Sequence, residues 1–119
     1  MLFLSMVKAD ESRPIGPPPA ELFQRMAEFE QEGRLNGTLV DSRGLLPSSA
    51  GAIVSYADGK TSILDGPFTE AKEIVGGYAV LDVRSRDQAL EVARRLLRLH
   101  NEAWPAWEGE IELRQIAEY

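Results

Sequence analysis

Few side chains in this chain of 119 residues are suited to catalysis: it has no cysteine and a single histidine, His100. A thiolate nucleophile, a cysteine-ligated zinc and a site of several imidazoles within one chain are therefore excluded. Carboxylates and phenols remain. Asp65 and Asp41 are the candidate general bases, and His100, Tyr56 or Tyr78 could assist them in proton transfer. An imidazole with an ordinary pKa near 6.5 can serve as acid or base, although a lone histidine at a helix end also reads as a cap or surface group. Glu21 could act as a base on its own, but a carboxylate at a helix start also complements the dipole. No metal-ligating set and no cofactor motif is read.

The residues around Asp65 form the most informative stretch. In Asp65-Gly66-Pro67-Phe68 the proline fixes its own φ, moves Gly66 away from the α region and removes a backbone donor, so the chain must change direction. Asp65 can accept nearby amide hydrogens, as turn aspartates do, and Phe68 can bury its ring as an anchor. Thr69 suits the N-cap of one turn through Glu70, Ala71, Lys72 and Glu73, and Gly76-Gly77 permits a bend or bulge before the next strand. Gly66 or Gly77 replaced by valine should be harmful if those positions hold positive φ.

This stretch, from Asp65-Gly66-Pro67-Phe68 through Glu70 and Lys72-Glu73 to Gly76-Gly77-Tyr78, resembles the signature of the DGPF group of YCII-related proteins. The likeness runs from Leu2-Phe3-Leu4, through Glu32-Gly33-Arg34-Leu35, to Ile111-Glu112-Leu113-Arg114. It implies a ferredoxin-like fold that dimerises through its sheets, with a cleft near the dimer interface. Asp65, Gly66, Pro67, Phe68, Lys72 and Tyr78 would contribute to ligand binding there. The enzymatic branch of the family uses a His-Asp pair at the first helix. Here that place holds Pro19-Ala20-Glu21-Leu22, so the pair is not carried over.

The elements that must position these groups follow from periodicity. Leu2 to Val7 is a nearly continuous apolar run, as expected of a central strand. Lys8 to Pro19 is a proline-rich, stiff loop that could line a cleft. From Ala20 to Glu32 the residues Leu22, Phe23, Met26, Ala27 and Phe29 recur at helical spacing, with Gly33 placed as the stop. Thr38 to Leu46 reads as a strand interrupted at Asp41-Ser42-Arg43-Gly44, in which Asp41 and Arg43 share a face.

Asp58-Gly59 supplies the positive φ values of a two-residue hairpin turn, which would pair Ile53 with Leu64 and Tyr56 with Thr61. Tyr78 to Val83 is a third main strand. Ser85 and Gln88 have capping-box spacing before a second helix with an apolar stripe of Ala89, Leu90, Val92, Ala93, Leu96 and Leu97. Arg94, Arg95 and Arg98 fit a solvated face of that helix. Trp104 and Trp107 are expected to pack. Ile111, Leu113 and Gln115 alternate with Glu110, Glu112 and Arg114 in a final half-exposed strand.

The order is β-α-β, hairpin, β-α-β. It predicts an α+β single domain over residues 1–119: a ferredoxin-like split β-α-β sandwich with an inserted β-hairpin, of the dimeric α/β-barrel type. Helices cover one sheet face, so the other needs a cover, most simply a second subunit in a homodimer. With 13 Lys and Arg against 19 Asp and Glu, the net charge of −6 argues against direct, sequence-independent nucleic-acid binding. No leader or membrane span is read, and a cytoplasmic location is expected.

Three functions stay open. One is a small-molecule binding module with its ligand between the sheet face, the proline-rich loop and the Asp65 corner. Another is an enzyme of lyase or hydrolase kind with a carboxylate general base. The third is an accessory partner in sigma-factor-linked transcription regulation, which the resemblance implies through the association of the families. An exposed apolar patch of Trp104, Trp107 and the hairpin would favour that last reading.

Overall fold

The structure, a computed structural model, describes residues 1–69 and 71–118. Among the described residues six strands and two main helices follow in the order β1 (Leu2–Ala9), α1 (Ala20–Leu35), β2 (Leu39–Gly44), β3 (Ala52–Ala57), β4 (Lys60–Asp65), β5 (Ile74–Asp82), α2 (Arg86–Ala103) and β6 (Glu110–Gln115), with a 3-10 turn at Ser48–Ala50. Four strands make one antiparallel sheet in the order β2-β5-β1-β6. With two helices this is an α+β arrangement compatible with the ferredoxin-like split β-α-β fold. Among the described residues, strands β3 and β4 pair only with each other.

Residues opposite one another in an antiparallel pair share a face. Phe3 lies opposite Leu81, and Ser5 lies opposite Ala79 and Leu113. This is the helix-covered face, and Phe3, Leu39, Ala79, Leu81, Val83 and Ala89 form the core there. The alternate residues form an open face: Leu4 opposite Val80, Met6 opposite Tyr78 and Glu112, Arg43 opposite Tyr78. Leu4, Met6 and Val80 are only half-buried on it.

α2 is the more deeply seated helix. Ala89, Ala93, Leu96, His100 and Ala103 are its buried stripe, and the Ser85 side chain accepts from the Gln88 amide at 3.1 Å as its N-cap. Gln88 returns a bond to the Arg84 amide at 2.8 Å, one residue earlier than a standard capping box would place it.

Several sequence expectations need correction. α1 runs three residues past Glu32, to Leu35, and Leu22 is its one buried residue, while Phe23 is 63% exposed. A helix at the rim of a two-layer sandwich touches the sheet along a narrow stripe, which leaves the adjacent Phe23 and Ala27 outside. Gly33 does not stop α1. A Cβ there would come within 2.8 Å of the Leu39 Cβ, so it is a close-packing residue, and Gly37 with φ 82° reverses the chain instead. β2 continues through Asp41 to Gly44. β5 starts at Ile74, four residues before Tyr78, and carries the Gly76 irregularity inside the strand, where the partner of β1 jumps from Gly77 at Val7 to Val75 at Lys8.

The hairpin has the expected register, Ile53 with Leu64 and Tyr56 with Thr61, turning through Asp58 at φ 53° and Gly59 at φ 74°. Neither Gly66 nor Gly77 has a left-handed φ. Both are constrained by close approach: a Cβ on Gly66 would collide with the Ser48 carbonyl, and one on Gly77 would lie 3.2 Å from the Arg43 carbonyl oxygen. No helix among the described residues is long and apolar enough to cross a membrane.

Candidate functional site

The corner after β4 is built against the 3-10 turn. The Gly66–Pro67 peptide bond is cis. The Gly66 amide donates to the Gly51 carbonyl at 2.9 Å, and the Phe68 amide donates to Ser48 Oγ at 3.0 Å. Ser48 is buried and is held in turn by Glu11. One Glu11 carboxylate oxygen accepts from the Ser48 amide at 3.0 Å, and the other accepts from its hydroxyl. Three segments remote in sequence thus meet at one hydroxyl: the proline-rich loop, the 3-10 turn and the corner.

Between them lies a cleft of about 290 Å³ lined by Glu11, Ser12, Pro47, Ser49, Pro67, Phe68, Thr69 and Ala71. Pro67 and Phe68 were expected there from the sequence. Asp65 is exposed at the end of β4, Lys72 is exposed, and neither lines this cleft. The helical turn expected from Thr69 includes Glu70, which lies outside the described residues. Glu11 and Ser48 carried no sequence signal, because an acid in a loop and a serine in a turn are ordinary surface residues until packing encloses them. In the same loop the Asp10 carboxyl accepts from the Ser12 hydroxyl and amide, which lowers its pKa.

A second constellation sits on the open sheet face. Tyr78 donates its phenol hydrogen to Asp41 Oδ2 at 3.3 Å, and the Arg43 guanidinium lies 3.7 Å from Asp41 Oδ1. The shared face of Asp41 and Arg43 was legible from the two-residue spacing, whereas their meeting with Tyr78 comes from the β2–β5 register. Asp41, proposed from sequence as a base, therefore has a phenol and a cation at hand.

The same face carries a carboxylate cluster at its other end. Lys8 Nζ lies 3.0 Å from Glu112, 3.5 Å from Glu73 and 3.8 Å from Glu110. The hydrogen bond to Glu112 is the main cause that raises the Lys8 pKa, and the same bond lowers that of Glu112. Glu73 and Glu110 share a hydrogen bond that lowers the first and raises the second, so Glu110 is the member that holds a proton longer.

His100 is placed elsewhere. It is buried in the last turn of α2, where its ring nitrogen Nδ1 meets the Leu96 carbonyl at 2.8 Å and its ring lies 4.8 Å from that of Trp107. A carbonyl only accepts, so Nδ1 carries the hydrogen. Burial lowers the His100 pKa, with the Leu96 bond opposing the shift. This corrects the reading as a cap or surface group. Its partners Leu96 and Trp107 belong to the packing of the helix end, and Trp107 is itself buried.

The comparison with known sequences decides the family. The YCII-related domain matches residues 1–118. The chain belongs to the YCII-related family. This YCII-related chain is also similar to an uncharacterised protein of Rhizobium meliloti (strain 1021), at 39% identity over 75 residues, which are 63% of this chain and 56% of that one. The match thus spans little more than half the length of that relative.

Proposed function

We propose that this YCII-related chain is a small-molecule binding protein of the DGPF group. It acts as a homodimer of the dimeric α/β-barrel type, with the ligand in the corner cleft near the dimer interface. The observation that carries this reading is the cleft itself. Proline, phenylalanine and alanine supply apolar walls, Ser12, Ser49 and Thr69 supply hydroxyls, and Glu11 is fixed by its bonds to Ser48. Apolar lining with a few oriented polar groups is the usual composition of a ligand site, and about 300 Å³ is the small end of the range. The ligand class that fits is a compact molecule with an apolar body and a hydrogen-bond donor.

Native mass spectrometry of the purified protein tests this, followed by thermal-shift screening of small metabolites against wild type and Phe68→Ala. A retained or added ligand that Phe68→Ala loses supports the cleft. Bare protein with no stabilising compound in the screen, or a ligand held equally by Phe68→Ala, counts against it.

The Tyr78–Asp41–Arg43 arrangement favours a second reading, an enzyme of lyase or hydrolase kind with Asp41 as general base. The phenol donates to the Asp41 carboxylate and can return a proton, with the Arg43 guanidinium 3.7 Å from the other carboxylate oxygen. Asp41→Asn would then abolish turnover of a bound compound while leaving its binding largely intact. Unchanged turnover in that variant would remove Asp41 from the mechanism.

A further inference from the structure

The β3–β4 hairpin is exposed along its whole length, although both of its faces are apolar. Val54, Tyr56 and Ile63 are 70%, 75% and 71% exposed on one face, and Ile53 and Leu64 are 42% and 59% exposed on the other. The register of the hairpin puts Val54 opposite Ile63 and Ile53 opposite Leu64, so each face has its own apolar pair. An isolated two-stranded hairpin is marginally stable in water. One with apolar pairs on both faces needs a cover.

The open sheet face has the same need, and both belong to one chain. The accessible surface of 8288 Å² exceeds by about 1,900 Å² what a compact monomer of this mass has. The radius of gyration of 15.9 Å likewise exceeds the roughly 13.5 Å of a compact domain. An obligate dimer buries about 1,000–2,500 Å² per subunit, which matches the excess. A two-fold dimer covers arm and sheet together, because each contact is made twice. The arm leaves from the end of the edge strand β2. Its six-residue strands reach about 20 Å, more than the roughly 14 Å between the outer strands of a four-stranded sheet.

We propose that the hairpin is an exchanged arm that lays its Val54–Tyr56–Ile63 face on a second copy of this chain at the rim of the open sheet. It brings Tyr56 of the partner subunit beside the Tyr78–Asp41–Arg43 group. This inference rests on the homodimer reading and adds to it which element makes the interface.

A photo-reactive benzophenone residue in place of Tyr56 tests it, in a mixture of isotopically light and heavy chains. The expected result is cross-linked species of mixed isotope that map to β2 or β5 of the partner. The exposed-face substitution Ile63→Lys should weaken dimerisation at least tenfold in sedimentation equilibrium while leaving the circular dichroism of the body unchanged. A dimer that yields only cross-links within one chain, or that Ile63→Lys leaves intact, overturns the arm and leaves the dimer standing. A monomer overturns both. A cross-link to a different protein in cells, with none between copies, assigns the arm to a foreign partner and overturns the proposal.

Discussion

Glu11 holds Ser48 through both carboxylate oxygens, one on the backbone amide and one on the hydroxyl, while the same hydroxyl accepts from the Phe68 amide. A single buried side chain therefore fastens the proline-rich loop and the corner to the 3-10 turn. Ser48→Ala leaves the Phe68 amide and part of the Glu11 carboxylate without a partner, and is expected to lower stability by about 1–3 kcal/mol. Urea denaturation checks this. A loss below about 0.5 kcal/mol, the range of an ordinary surface substitution, would show that the three segments are held by other contacts.

Gly66→Ala tests the close approach of the corner to the Ser48 carbonyl. Backbone must move to admit the methyl group, so the cost should reach the upper part of the overpacking range, about 3 kcal/mol. Gly59→Ala, at a left-handed φ in an open turn, should cost only about 1 kcal/mol. The two midpoints in one denaturant series separate steric collision from backbone strain. Equal losses would contradict the placement of Gly66.

Tyr78→Phe removes the phenol that donates to Asp41 and keeps the ring. Stability should fall by about 0.5–1.5 kcal/mol. If Asp41 and Tyr78 act together on a substrate, turnover should drop far more than that stability change accounts for. Retained turnover in Tyr78→Phe would confine the phenol to a structural role.

The buried His100 gives a pH dependence of defined sign. Its folded pKa lies below the ordinary value of about 6.5, so on acidification the unfolded chain binds the proton first. Stability is full above about pH 6.5 and falls as the pH drops through that value toward the folded pKa. From about pH 8 to about pH 5, wild type should therefore lose melting temperature relative to His100→Phe. Parallel curves would mean that the imidazole titrates alike in both states.

The Glu73–Glu110 pair predicts opposite limbs. The raised pKa of Glu110 contributes stability present below the ordinary carboxylate pKa and lost as the pH rises through the folded value. The lowered pKa values of Glu73 and Glu112 contribute stability present above the ordinary pKa and lost as the pH falls through theirs. Glu110→Gln supplies a permanent donor to Glu73. Its stability relative to wild type should be greater at neutral pH than at mildly acidic pH, measured by thermal melts at low salt. An equal difference at both would show that the pair shares no proton.

Much of the fold was legible because local rules and tertiary structure agree there. Asp58-Gly59 determined the hairpin register, since aspartate and glycine supply the two positive φ values of a type I′ two-residue turn. Ser85 marked the start of α2 through its cap. Phe23 and Ala27 misled because helical spacing marks an apolar stripe without telling how much of it meets the sheet. Gly33 misled because a glycine near a helix end reads as a stop, whereas here the closeness of Leu39 requires it.

The sequence by itself determined the family, the order of elements and the corner, because turn chemistry and apolar periodicity act over neighbouring residues. Tertiary structure alone decided that Glu11 reaches Ser48, that Tyr78 reaches Asp41, and that Lys8 lies among three glutamates. It also decided that His100 is enclosed with Trp107. Those meetings depend on strand register and loop packing across the fold, and residue type alone gives no sign of which polar groups such packing will enclose.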